Sequence, residues 1–296
     1  MERFSFSGQG IAEMALTTAR RSAALASLWL AACSSPAQLP STETEVSQPP
    51  APENETKLVG LYLLSNVTTV SPGQEFRVAA RFDIEPSWHI YWLNPGEAGL
   101  ATQAVFAVPD GFGVGEPRYP GPVRFDGGGG TTSYGYEELV VISAPVTAPD
   151  EFSERKRISV RANWLACREM CIPGEAESSM WIEPASAAIP SKPANAPMFD
   201  THDLALPVPF DNQTGSIAWK PDQSTVELLI KATDSAEYFP SPAEQTSLVG
   251  QLAVPVANDL RLILSYKKGS TVSAHGVIAR TAKGRRSYFQ LSWSPK

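Results

Sequence analysis

The sequence predicts an all-β protein of two consecutive β-sandwiches. Apolar residues fall in short alternating runs punctuated by turn residues such as Ser71-Pro72-Gly73, Asn94-Pro95-Gly96 and Pro109-Asp110-Gly111. The 26 prolines and 21 glycines favour turns over long helices. No stretch carries a convincing 3.6-residue amphipathic repeat.

Residues 1–33 read as a bacterial lipoprotein signal peptide. Arg20-Arg21 supply a positive start, residues 23–30 an apolar core too short to span a bilayer, and Leu30-Ala31-Ala32-Cys33 a lipobox with Cys33 as the lipidated residue. Met14 then makes a better start than Met1. Ser34 after the cysteine points to the outer membrane. The expected location is therefore the periplasm, lipid-anchored, where disulfides can form. Residues 34–56, rich in Pro, Ser, Thr and Glu, read as a disordered tether spanning on the order of 25 Å.

Residues 57–184 carry the first sandwich. Period-2 alternation predicts strands over 59–66, 75–83, 88–93, 104–108, 139–146, 157–164 and 179–183. Seven strands in so short a span suit two packed sheets. The 88–93 strand is apolar on both faces, which predicts cover on both sides. Within it His89 reads either as a base or metal ligand or as a hydrogen-bonded core residue. The four glycines 127–130 lack the Lys-Ser/Thr of a phosphate loop and read as a permissive loop.

Cys167 and Cys171, two of the only three cysteines, are the pair to explain. Four residues of continuous strand would separate their Cα atoms by about 13 Å, whereas a disulfide needs roughly 4.4–6.8 Å. Arg168, Glu169 and Met170 must therefore turn the chain, and Pro173-Gly174 reads as a second turn before the 179–183 strand. Three readings stay open. A structural staple closing so short a loop would contribute only about 2 kcal/mol. A redox pair needs one accessible sulfur and a neighbour that resolves the mixed disulfide. A Cu(I) site would use Cys167, Cys171 and Met170, soft ligands that suit copper better than zinc.

Three ordered motifs resemble one known family: the segment 88–99 (WHIYWLNPGEAG), Tyr134-Gly135-Tyr136-Glu137, and the 167–173 segment (CREMCIP). Together they are similar to the periplasmic N-terminal region of the membrane disulfide reductase DsbD and, more so, of its copper-tolerance relative ScsB. The resemblance implies an immunoglobulin-like sandwich whose cysteines cycle between dithiol and disulfide, with no cofactor beyond that redox-active disulfide. It implies that Cys171 forms the mixed disulfide and Cys167 resolves it. It also implies a lid over the pair at Tyr134, Gly135 and Tyr136, although Ser133 stands where a companion aromatic is expected; the two tyrosines read equally as core aromatics. The implied partners are a separate membrane thiol electron carrier of the DsbD type and oxidised periplasmic proteins, with the membrane itself reached through the N-terminal lipid.

Residues 185–200, rich in Pro, Ala and Ser, read as a linker to a second β-rich domain over 201–296. Strands are predicted over 215–219, 225–233, 248–254, 261–265, 271–279 and 285–293. This part holds no cysteine, and its expected work is docking or spacing, with ligand recognition through Tyr238-Phe239 as a lesser reading. A net charge of −7 argues against nucleic acid as a partner.

Overall fold

The computed structural model describes residues 57–127, 130–220, 224–243, 247–270 and 272–295. The signal peptide with Cys33, the 34–56 tether and Gly128-Gly129 lie outside the described residues.

The fold is nearly all β. In the first sandwich β1 (Val59–Ser65), β2 (Glu75–Ile84), β3 (His89–Gly96), β4 (Gln103–Ala107) and β5 (Gly113–Val114) precede β6 (Val123–Asp126), β7 (Thr132–Glu137), β8 (Leu139–Thr147), β9 (Lys156–Cys167) and β10 (Cys171–Ile182). One sheet runs β1-β2-β8-β5; the other runs β10-β9-β3-β7-β6, with β4 also paired to β9. Alternation explains the packing: β2 sends Phe76, Val78, Ala80, Phe82 and Ile84 inward, where Ile90, Ile158 and Val160 of the other sheet meet them in one core.

The outer face of β2 and β8 is covered as well. Helix α1 (Ala196–Ala205) lays Phe199 on Ala79 and Val141, and buries His202 where its Nε2 and Ser143 Oγ share a 2.8 Å hydrogen bond. No helix was expected there. Its buried side chains are only Phe199 and His202, too few to make an amphipathic repeat visible. Residues 185–195, expected as linker, hydrogen-bond along the β1–β2 connection: Ala185 N–H donates to Val70 O (2.8 Å), Thr68 N–H to Lys192 O (2.9 Å) and Ala194 N–H to Asn66 O (2.8 Å).

The second sandwich comprises β11 (Val208–Pro209), β12 (Gly215–Lys220), β13 (Thr225–Ile230), β14 (Ser235–Pro240), β15 (Leu248–Val256), β16 (Asp259–Tyr266), β17 (Ala274–Ala282) and β18 (Arg285–Trp293). Its sheets run β11-β18-β17-β14 and β12-β13-β16-β15 around Val226, Leu228, Ile230, Leu262, Leu264 and Ile278. Phe239, Val277, Ala279 and Tyr288 belong instead to the core of the first sandwich, so the two halves are packed together. Tyr238 and Phe239 are both fully buried, Tyr238 in its own sandwich and Phe239 against the other. No helix of the described residues is long and apolar enough to cross a membrane.

Five strands escape the sequence pattern, the two-residue β5 and β11 and the longer β6, β7 and β14, and one is far longer than expected. β10 begins at Cys171, and Pro173-Gly174 is strand rather than turn. It is the terminal strand of its sheet, where proline's missing N–H can face outward at no cost to the ladder.

Candidate functional site

The β9–β10 hairpin builds the site. Each strand has twelve residues, paired in register from Lys156↔Ile182 up to Cys167↔Cys171, and Arg168, Glu169 and Met170 form the turn. The two cysteines are joined in a disulfide with Cα atoms 4.2 Å apart. That spacing matches a non-hydrogen-bonded antiparallel pair, about 4.5 Å, rather than a hydrogen-bonded one, about 5.5 Å. Pro173, two residues on, falls in the same class of pair, so its lack of an N–H lies on the free edge.

Opposite Gly174 sits Trp164, the first residue of the WLACREMC run. A Cβ on Gly174 would lie 2.5 Å from the Trp164 indole nitrogen, so only glycine lets this ring lie across the edge strand. Trp164 in turn meets Phe82 edge-on at 5.7 Å, which ties the β9–β10 hairpin to the core.

The two sulfurs have different surroundings. Cys167 is 3% exposed, whereas Cys171 is open to solvent. Strand β3 flanks the buried one, with His89 directly opposite Cys167 in register. Two residues along the same face, the Tyr91 hydroxyl donates to Cys171 Sγ at 3.6 Å. Burial raises the Tyr91 pKa, which keeps that hydroxyl a donor. Gly99, at φ +109°, makes room for the ring, since a Cβ there would stand 2.3 Å from Tyr91 Cε1. This accounts for the glycine that ends the WHIYWLNPGEAG motif.

His89 stacks flat on Phe125 of β6, 4.3 Å between centroids and 14° between planes, and meets Tyr91 edge-on at 5.2 Å. Burial lowers its pKa and favours the neutral ring. The Arg168 guanidinium lies over Trp88 at 5.3 Å. Met170 is 67% exposed at the tip of the turn, and Ile172 and Leu100 are exposed apolar residues as well. Among the described residues no group of three or more His, Cys, Asp or Glu is gathered to hold a metal.

The segment that the resemblance marks as a lid lies in β7. Tyr134, Gly135 and Tyr136 are strand residues of β7, both tyrosines buried, with Tyr136 donating to Pro120 O at 2.8 Å and Tyr134 packed on Phe239 at 5.1 Å. Both tyrosines belong to the core cluster of the first sandwich. The aromatic groups joined to the disulfide are Tyr91 and, through His89, Phe125. Neither was singled out by sequence; the shared face of His89 and Tyr91 was the available signal.

The match to known proteins agrees with this hairpin. Residues 64–181 match the family model described as thiol:disulfide interchange protein DsbD, N-terminal. Those residues belong to the DsbD N-terminal domain family. The matched segment thus contains β2 to β9, all of β10 but its last residue, the disulfide, Tyr91 and Phe125, and it is a thiol–disulfide exchange domain by family. In fold the chain is similar to the N-terminal periplasmic domain of ScsB from Proteus mirabilis, at 14% identity and TM-score 0.55, over 80% of this chain and 92% of that one. The N-terminal domain of Neisseria meningitidis DsbD in its reduced form aligns at 12% identity and TM-score 0.25, over 45% of this chain and 90% of that one. No curated protein matches the chain in sequence.

Proposed function

We infer that the protein is a periplasmic, lipid-anchored thiol–disulfide exchange protein, reduced at Cys167–Cys171 by a membrane carrier of the DsbD type and reoxidised by disulfide-bonded envelope proteins. The observation that carries this reading is the asymmetry of the pair: an exposed Cys171 sulfur bonded to a buried Cys167 at the tip of a DsbD-type hairpin.

The chemistry follows from that asymmetry. In the dithiol form the Cys171 thiolate, accepting the Tyr91 hydrogen bond, attacks a partner disulfide; one partner sulfur leaves as thiolate and a mixed disulfide forms. Cys167, held within bonding reach, loses its proton and attacks Cys171 Sγ. The second partner sulfur then leaves, so two electrons and two protons pass to the partner and the Cys167–Cys171 bond is restored. Reduction by the donor runs the same steps backwards, its thiolate attacking Cys171 while Cys167 leaves. The exposed Met170, Ile172 and Leu100 offer an apolar rim on which a protein partner can rest.

Equilibration with glutathione buffers, followed by counting free thiols, tests the reading. A potential between about −180 and −270 mV is expected. A value below about −300 mV marks a structural bridge and refutes it. Cys171→Ser should abolish mixed-disulfide formation with an oxidised, disulfide-bonded partner, and Cys167→Ser should trap it.

A further inference from the structure

The second sandwich holds no thiol, yet it grips the strands that contact the disulfide. Strand β14 makes the contact. Phe239, fully buried, meets Trp92 of β3 edge-on at 6.3 Å and Tyr134 of β7 at 5.1 Å. Asn94 at the far end of β3 donates from Nδ2 to Pro240 O at 2.7 Å. Glu237 lies between two guanidinium groups, Arg286 at 3.6 Å from its own sandwich and Arg124 of β6 at 3.9 Å. Arg286 also donates to Pro122 O at 3.3 Å, just before β6 begins.

These contacts continue into the site by two short routes. Arg124 is the chain neighbour of Phe125, whose ring lies flat on His89. Arg124 is further fixed to Asp126 at 2.7 Å and donates to Thr132 Oγ1 at 2.9 Å, so the β6–β7 hairpin moves as one piece with its guanidinium. On β3 the alternation of the strand puts His89 and Tyr91 towards the disulfide face and Trp92 and Asn94 towards β14. One strand therefore touches the reactive sulfur at one end and the second sandwich at the other.

We propose that β14 of the second sandwich is a positioning element for the thiol pair, with Glu237 as a positioning residue that, through Arg124, Phe125 and His89, holds the Tyr91 hydroxyl on Cys171. The proposal rests on the exchange reading of the site for its biological sense. Loosening Glu237 lets β6 drift, Phe125 lose its stack on His89, and the Tyr91 hydroxyl leave the sulfur. The reduced Cys171 then forms its thiolate less readily.

The test uses the full chain in its reduced form and measures the rate of alkylation by iodoacetamide against pH, with peptide mapping to read Cys171 alone. Tyr91→Phe should slow alkylation at fixed pH roughly fivefold, the worth of one hydrogen bond of about 1 kcal/mol, and move the profile to higher pH. Glu237→Gln, which keeps size and hydrogen-bonding capacity but removes the charge, should slow it in the same direction by part of that factor. In the Tyr91→Phe background it should do nothing more. Three results overturn the proposal: an unchanged profile for Glu237→Gln, an unchanged profile for Tyr91→Phe, or an undiminished Glu237→Gln effect when Tyr91 is already Phe. Circular dichroism checks the fold, and Arg286→Gln, the second guanidinium on Glu237, carries the identical reading should Glu237→Gln fail to fold. Failure of the exchange reading is separable, because it appears in the potential and in trapping of an oxidised partner, while alkylation reports only how Cys171 is held.

Discussion

An exchange protein must survive the loss of its own disulfide in every cycle, and the geometry of the hairpin says that it does. Reduction opens a loop of only four residues' separation, and closing so short a loop stabilises a fold by about 2 kcal/mol in the chain-entropy account. Domains are commonly stable by about 5–15 kcal/mol, so the dithiol form stays folded. The strands themselves keep the thiols together, since β9 and β10 pair over all twelve residues and Trp164 bridges the edge strand to Phe82 without help from sulfur. At this chain length each kcal/mol moves the melting temperature by about 2–4 °C. Thermal unfolding followed by circular dichroism, with and without excess dithiothreitol, should therefore show one cooperative transition lowered by about 4–8 °C. A drop beyond about 15 °C, or loss of the cooperative transition, would refute the reasoning, because the bridge would then be holding the sandwich together.

Other perturbations separate the packing from the chemistry. Gly174→Val drives a Cβ into the Trp164 indole at 2.5 Å and should cost about 1–3 kcal/mol in urea unfolding, whereas a valine at exposed Glu175 should cost little. Phe199→Ala empties the contact of α1 with Ala79 and Val141 and should cost about 3–5 kcal/mol, read as a lowered denaturant midpoint. His202 is buried on Ser143, and burial, the largest cause, lowers its pKa, with Arg77 and Arg118 acting in the same sense and Asp203 opposing. Its folded pKa thus lies below the unfolded value of 6.5; the unfolded chain binds the proton first, and stability declines as pH falls below about 6.5. Urea midpoints between pH 7.5 and 5 should show that decline, and His202→Gln should flatten part of it, leaving the share of His89, whose pKa burial also lowers.

The parts of the fold visible in the sequence are those whose faces differ. The β2 run EFRVAARFDI and the β9 run KRISVRANWLAC alternate because one side meets the core, and both read as strands within a few residues. What stayed hidden has a physical cause in each case. β10 looked broken by Pro173-Gly174, since a proline is tolerated there only because the strand is an edge and the glycine only because an indole covers it, and neither condition is local. Helix α1 shows two buried side chains and no repeat. The cysteines were legible because they are scarce, but Tyr91 reaches Cys171 across 80 residues of chain, a contact that no spacing rule reports. β3 shows how near the sequence came. Its residues are apolar on both faces, which predicted cover on both sides, and most of the strand is covered, Leu93 excepted. The covers differ in kind: on one face the disulfide hairpin and Phe125, on the other the core and β14. A strand with no face left for water has no freedom to shift without disturbing both sides, and for that reason the second sandwich, chemically silent in itself, is mechanically continuous with the reactive sulfur.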